Sequence, residues 1–242
     1  MIPPIVHQNP SAGVLLSLGI TVSLIVWIRL AKSDPKLIFI YIGALIGAFL
    51  GGKISYLFSE GVLHLNQHWD ERLAILLTGK SITGGLLFGF LGVELSKKLL
   101  KYNRPTGDLF AIVVPLGVMV GRLGCLLHGC CLGKAGSYPV LTQLGLAGDK
   151  WPAAGVEFVF NFLALIGAGL LTWFRILPNQ HFYIYLISYG VFRFIHEYLR
   201  DTPKIFYGTS GYQLASLMMI IVGGVGFEIR RRKQISSERT WV

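Results

Sequence analysis

Charge is what this sequence has little of. Only 14% of its 242 residues are charged, against about a quarter in soluble domains. Such a chain cannot cover a soluble surface. Apolar residues make up 53%, and the mean hydropathy is +0.60. This balance excludes a disordered chain and a soluble enzyme with one anchor. Cysteine is scarce too. Cys125, Cys130 and Cys131 are the whole complement, and an odd, clustered count excludes a secreted disulfide framework. Acidic residues are outnumbered, 12 against 22 Lys and Arg, for a net charge of +10. In a soluble protein that surplus would point to nucleic acid. In so apolar a chain it must first be placed relative to a membrane, and no nucleic-acid partner is expected. The opening MIPPIVHQNP carries no Lys or Arg, so no signal peptide is expected.

What is present is a succession of apolar runs near bilayer length, about 20 residues. They are Gly13–Ile28, Leu37–Phe58, Ile82–Leu95, Leu109–Leu127, Ala154–Phe174, Phe182–Tyr198 and Gln213–Phe227. The third is short, so it either starts earlier, near Ala74, or is partly re-entrant. The expected fold is an all-α integral membrane protein of about seven transmembrane helices. It would be a single polytopic domain over residues 1–242, with a basic cytoplasmic tail at 230–242. The 30 glycines concentrate inside the spans, as in GALIGAFLGG and TGGLLFGFLG. Small residues there let helices approach closely.

Loops after spans one, three, five and seven hold 13 of the 22 basic residues, from Arg29 to the RRRK run at Arg230–Lys233 and Arg239. The excess of Lys and Arg marks the cytoplasmic side. The N-terminus is therefore expected outside and the C-terminus in the cytoplasm. The other nine, Lys53, Arg72, Lys80, Arg122, Lys134, Lys150, Arg193, Arg200 and Lys204, fall in outer loops or outer half-spans. Glu157, His128, His196 and Glu197 fall there as well. Ionisable groups at membrane depth are costly and point to function; interhelical salt bridges are the plainer reading.

Arg122 lies in PLGVMVGRLGCLLHGCC with apolar residues on both sides. Its guanidinium is a fork of donors suited to phosphate. Gly121 and Gly124 beside it leave room for a headgroup or a neighbouring helix. In YGVFRFIHEYLR, Arg193 and Glu197 are four apart and share a helix face. Tyr189 lies on that face one turn before, and Arg200 would extend it two turns further. Cys125, His128, Cys130 and Cys131 are ligand types, but their spacing matches no standard zinc motif. A metal, a disulfide and a Cys–His nucleophile pair stay open beside small packing residues in a Gly-rich turn. No metal and no cofactor are expected. His64 and His68, with Asp70 and Glu71, read as a solvated amphipathic loop rather than a metal site.

From about Gly13 to its end the chain resembles the bacterial prolipoprotein diacylglyceryl transferase family. GRLGCLLHGCCLG (Gly121–Gly133) is similar to that family's Gly-Arg-x-Gly-Asn-Phe-x-Asn-Gly-Glu signature. YGVFRFIHEYLR (Tyr189–Arg200) is similar to its Tyr-Gly-x-x-Arg-x-x-x-Glu-x-x-Arg helix. SITGGLLFGFLG, WPAAGVEFVFNF and SGYQLASLMMI resemble further family stretches. The resemblance implies seven transmembrane helices in a bacterial inner membrane, and a lateral lipid site near the outer leaflet. It implies transfer of the diacylglyceryl group of phosphatidylglycerol to a lipoprotein-precursor cysteine, releasing glycerol phosphate. Arg122 and Arg193 fall on the family's two essential arginines, and Glu197 and Tyr189 on functional motif positions. Some positions depart. Thr83 stands where the family has a histidine. Cys125 and His128 replace two asparagines, and Cys130 a glutamate. Trp151, Ala154 and Val156 replace His, Gln and Tyr, while Pro152 and Glu157 are retained.

The expected mechanism is displacement at a glycerol carbon. Arg122 and Arg193 hold the departing phosphate, and they are expected to approach one another from different helices. His128 is the candidate base, being near neutrality when unperturbed. A Cys125–His128 covalent route stays open. The expected partners are phosphatidylglycerol or a related anionic phospholipid, a lipoprotein-precursor peptide and the membrane. The alternatives are a transferase with another acceptor, a non-catalytic phospholipid-binding protein and, last, an anion transporter.

Overall fold

In a computed structural model the protein is described over residues 34–61, 79–127, 129–143, 148–205 and 207–239, with isolated positions between 21 and 32. Six long helices account for most of this: α1 Lys36–Ser59, α2 Ile82–Leu99, α3 Gly107–Leu127, α5 Ala153–Trp173, α6 His181–His196 and α7 Gly211–Arg239. A short helix, α4, covers Pro139–Gln143, and a 3-10 turn covers Glu197–Leu199. The expected first span, Gly13–Ile28, lies outside the described residues but for isolated positions. So do His128, and His64, His68, Asp70 and Glu71.

Four helices, α1, α3, α5 and Gly211–Ser236 of α7, are long and apolar enough to cross a membrane. Their surfaces agree with that. Phe39, Phe49, Leu163 and Trp173 are 58–82% exposed, while Thr83, Glu157, Asn161, Glu197 and Gln213 are fully buried. Water would penalise that arrangement. Lipid favours it, because the exposed apolar groups meet hydrocarbon and the polar groups satisfy one another inside. The chain is therefore an all-α membrane protein.

The residues divide into two compact units. One comprises 108–178 and 198–201, with α3, α4 and α5; the second comprises 27–107, 179–197 and 202–242, with α1, α2, α6 and α7. In the second, α1 and α2 pack backbone to backbone. A Cβ at Gly84 would lie 2.3 Å from the Gly51 carbonyl oxygen, and one at Gly92 2.3 Å from that of Gly43. The glycine runs thus serve close helix contact.

Helix α2 starts where the third apolar run does, and residues 62–78 lie outside the described residues. The described α2 begins at Ile82, where the Ser81 hydroxyl accepts from the Gly84 amide at 3.3 Å, an N-cap that satisfies an otherwise unpaired donor. The last helix runs past Phe227 to Arg239 and includes the RRRK run. Glu228 accepts from Arg231 at 2.9 Å and Arg232 at 2.8 Å, one turn away, and Gln180 donates to Gln234 at 2.7 Å. Charge pairing extends the helix beyond its apolar part.

Candidate functional site

Two buried arginine–glutamate pairs stand out, one in each unit. In the first, Arg122 of α3 meets Glu157 of α5, Nη2 to Oε2 at 2.7 Å. Their side chains are 7% and 0% exposed. Charges so enclosed survive only when paired. Arg200 Nη1 lies 3.9 Å from the same Glu157 oxygen, so one carboxylate faces two guanidinium groups. Asn161, a turn later on α5, donates to the Glu157 carbonyl at 2.8 Å. A Cβ at Gly121 would meet nothing within 4 Å among the described residues. Gly124 and Cys125 lie in the next turn of α3.

The loop after α3 is pinned. Gly133 donates to the Trp151 carbonyl at 2.7 Å and Lys134 to that of Leu199 at 2.9 Å. Gly133 and Arg200 form an antiparallel bridge. A Cβ at Gly133 would sit 2.4 Å from the Leu199 carbonyl oxygen, so only glycine fits. Arg200 accordingly does not continue the Arg193 face. The α-helix ends at His196, and the 3-10 turn breaks its 3.6-residue register before Arg200. Arg200 pairs with Glu157 instead.

Arg122 Nη1 also reaches Cys125 Sγ at 3.8 Å. Cys125, Cys130 and Cys131 place their sulfurs all within 4.8 Å of one another. Cys131, named in the sequence only as a ligand type, joins them with its backbone in the left-handed region at φ 58°. Its thiol is lowered to about 5, first by a hydrogen bond with Cys125 and then by the charges of Arg122 and Arg200.

In the second unit Arg193 Nη1 lies 2.9 Å from Glu197 Oε2, with both side chains at most 4% exposed. The i,i+4 spacing makes this an intrahelical pair extended across the helix end. Arg193 Nε donates to Thr83 Oγ1 on α2 at 3.4 Å, and the guanidinium lies over the Tyr212 ring at 5.8 Å. Glu197 is held from several sides. The Thr202 hydroxyl donates to Oε1, the Ser210 hydroxyl does so at 3.0 Å, and Lys204 Nζ is 3.9 Å away. Tyr212 in turn donates to Glu60 at 2.8 Å. Tyr189 is fully buried, its ring 5.9 Å from Tyr185 and 6.2 Å from Phe192.

Thr202, Ser210, Tyr212 and Glu60 were not singled out from the sequence as site residues. Ser210 and Tyr212 could have been, from the SGYQ stretch. A cavity of about 840 Å³ lies at the opposite ends of these helices, lined by Glu94, Lys97, Lys101, Tyr183, Arg230 and Lys233. It takes in none of these pairs.

Both arginines therefore stand, each with a buried carboxylate, in the motifs that carried the resemblance. The chain also matches the family profile of prolipoprotein diacylglyceryl transferase over residues 11–229. It is a member of that family. A phosphatidylglycerol–prolipoprotein diacylglyceryl transferase of Clostridium tetani is 32% identical over 244 residues, covering 92% of this chain and 94% of that protein. A second such transferase, of Clostridium perfringens, is 28% identical, covering 89% and 88%. One from Dehalococcoides mccartyi is 25% identical, covering 94% and 91%. Membership gives this diacylglyceryl transferase its reaction class. Its departures from the motif remain its own: Thr83 now hydrogen-bonds Arg193, and Cys125 and Cys130 belong to the thiol cluster beside Arg122.

Proposed function

We propose that this transferase moves the diacylglyceryl group of phosphatidylglycerol to the cysteine thiol of a lipoprotein precursor. The acceptor sulfur attacks the glycerol carbon that carries the phosphate. The carbon–oxygen bond breaks, and glycerol phosphate leaves with the electron pair. The observation that carries this reading is the buried arginine–glutamate pairing at motif positions, Arg122 with Glu157 and Arg193 with Glu197. Each glutamate orients its arginine, and the arginines stabilise the charge that develops on the leaving phosphate in a low-dielectric site. Tyr189, Gly121, Gly124, Cys125, Cys130, Thr83 and Arg200 serve substrate binding. His128, six residues after Arg122, receives the proton of the acceptor thiol.

The proposed setting is a bacterial inner membrane. The chain crosses it seven times with the N-terminus outside, and the lipid enters laterally near the outer leaflet. The basic residues support this orientation: Lys97, Lys98, Lys101, Arg230 and Lys233 gather around one cavity. Impermeant labelling of a C-terminal cysteine tag in intact cells should fail; labelling would reverse the orientation.

The direct test is mass spectrometry after incubation of purified protein with labelled phosphatidylglycerol and a precursor peptide. A thioether-linked diacylglyceryl peptide and free glycerol phosphate are expected. Thr83 at the family's histidine position favours a second reading, lipid binding without turnover. Phospholipid bound with no product from any thiol acceptor would establish that reading.

A further inference from the structure

The reaction above gives the thiol cluster no part in activating the acceptor. Cys125 lies in the last turn of α3, and the chain turns back sharply after Leu127. The Cys130 amide donates to the Cys125 carbonyl at 3.1 Å and the Gly129 amide to that of Leu126 at 3.2 Å, with Gly129 at φ 61°. This is a helix C-cap of the left-handed type. Cys131 also adopts the left-handed conformation, at φ 58°. A residue other than glycine rarely adopts that conformation without support from its surroundings. Two residues on, Gly133 is pinned to Trp151. A helix cap on one side and the Gly133 contacts on the other hold the turn, and the three sulfurs converge within 4.8 Å of one another.

We propose that Cys125, Cys130 and Cys131 bind one zinc ion whose fourth position takes the acceptor thiol. This rests on the transferase reading above and supplies what activates the acceptor in a chain with Thr83 at the histidine position. Zn–S bonds of about 2.3 Å put the sulfurs of a tetrahedral site about 3.8 Å apart. The sulfurs here reach that with a small inward shift. Three thiolates and one Zn²⁺ carry a net charge of −1. Arg122, 3.8 Å from Cys125 Sγ, and Arg200, bridged to Gly133, offset it. Cys130 and Cys131 are exposed and Cys125 half-buried, so the fourth position faces outward. Three protein ligands with one open position is the arrangement of a catalytic zinc site, whereas a structural site is closed by four. A thiol that enters the open position is deprotonated by the metal. Its proton passes to the solvent that the exposed Cys130 and Cys131 border, the zinc-bound sulfur attacks the glycerol carbon, and the thioether product, a weaker ligand, leaves the metal.

The test begins with metal content, which needs no activity. Protein purified under reducing conditions without chelator should hold about one zinc per chain. Cys125→Ser and Cys131→Ser should hold almost none. Exchange with Co²⁺ should give a sulfur-to-cobalt charge-transfer band. A precursor-like peptide with a single cysteine should strengthen that band by about a third, as three thiolates become four; its serine analogue should leave it unchanged. Reduced protein that neither holds nor takes up Zn²⁺ or Co²⁺ would overturn the proposal. So would metal retained by Cys131→Ser, a disulfide within the cluster in active protein, or a cobalt spectrum indifferent to the peptide. Full transfer by metal-free protein would remove the zinc and leave the transferase reading intact. Zinc and the peptide response with no transfer from phosphatidylglycerol would do the reverse.

Discussion

The two arginine–glutamate pairs are built from the same side chains in opposite ways. Arg193 and Glu197 are four residues apart and nearly sealed. Their carboxylate is also held by Thr202, Ser210 and Lys204. Arg122 and Glu157 come from different helices, Glu157 also faces Arg200, and Arg122 sits beside the three-thiol cluster. The first pair is a locked arginine. The second is an arginine in a setting that can exchange partners. Burial alone would rank them equal; the density of neighbouring hydrogen bonds separates them.

The largest expected effect follows from that density. Removing one partner of a buried ion pair costs about 3–5 kcal/mol, because the remaining charge is left uncompensated. Glu197→Ala strands Arg193 and takes the acceptor from the Thr202 and Ser210 hydroxyls, so it should sit at the top of that range. Glu157→Ala should cost less, because Arg122 keeps a second contact, to Cys125 Sγ at 3.8 Å. Thermal unfolding in detergent would rank the two. Equal losses, or the reverse order, would break the distinction between a locked and an exchangeable pair.

Next come the arginines themselves. Lysine keeps the charge but loses the rigid fork. Arg122→Lys should lower kcat/KM by about 10²-fold, the scale for losing one donor to a developing oxyanion, with little change in unfolding temperature. Arg193→Lys should lower both, because its guanidinium also holds Thr83 and packs over Tyr212. Steady-state kinetics beside thermal unfolding would separate them. A stability loss for Arg122→Lys as large as that for Arg193→Lys would count against the comparison.

The sequence showed these two regions unequally. Arg193 and Glu197 were legible because helix geometry turns a four-residue spacing into a contact. Glu157 was named as a site residue, but its pairing with Arg122 across 35 positions was not, because no local period encodes it. Arg200 was misassigned to the Arg193 face because nothing in YGVFRFIHEYLR shows the helix tightening into a 3-10 turn. The convergence of the three cysteines was also invisible, since it depends on left-handed residues at Gly129 and Cys131. The all-helical membrane fold was plain from the apolar runs, whereas the start of α2 turned on a single capping serine.

A smaller effect probes the backbone under the Arg122–Glu157 pair. Gly133→Ala would press a Cβ into the Leu199 carbonyl oxygen and the Trp151 side chain. Overpacking of this kind costs about 1–3 kcal/mol. The strain should pass to Arg200 and the cysteine turn, since Gly133 bridges to one and follows the other. Reduced stability and faster thiol alkylation are expected together. Unchanged alkylation would show that the turn does not depend on the bridge.

The smallest expected effect is at Thr83, and it tests the locked character of the Arg193–Glu197 pair directly. The threonine hydroxyl accepts one hydrogen bond from Arg193 Nε at 3.4 Å, and the side chain is fully buried. Thr83→Val keeps the shape closely and removes only that acceptor. The net worth of such a bond is about 1 kcal/mol, a factor of about five in an equilibrium constant. Because Glu197 and the Tyr212 ring still hold Arg193, kcat/KM should fall by no more than about that factor. The loss should also be non-additive with Arg193→Lys, since both variants remove the same contact. A double-mutant cycle in the transfer assay measures this. A loss of about a hundredfold from Thr83→Val alone would mean that Thr83 does more than steady Arg193, and that the hydroxyl itself takes part at the position where the family carries its histidine.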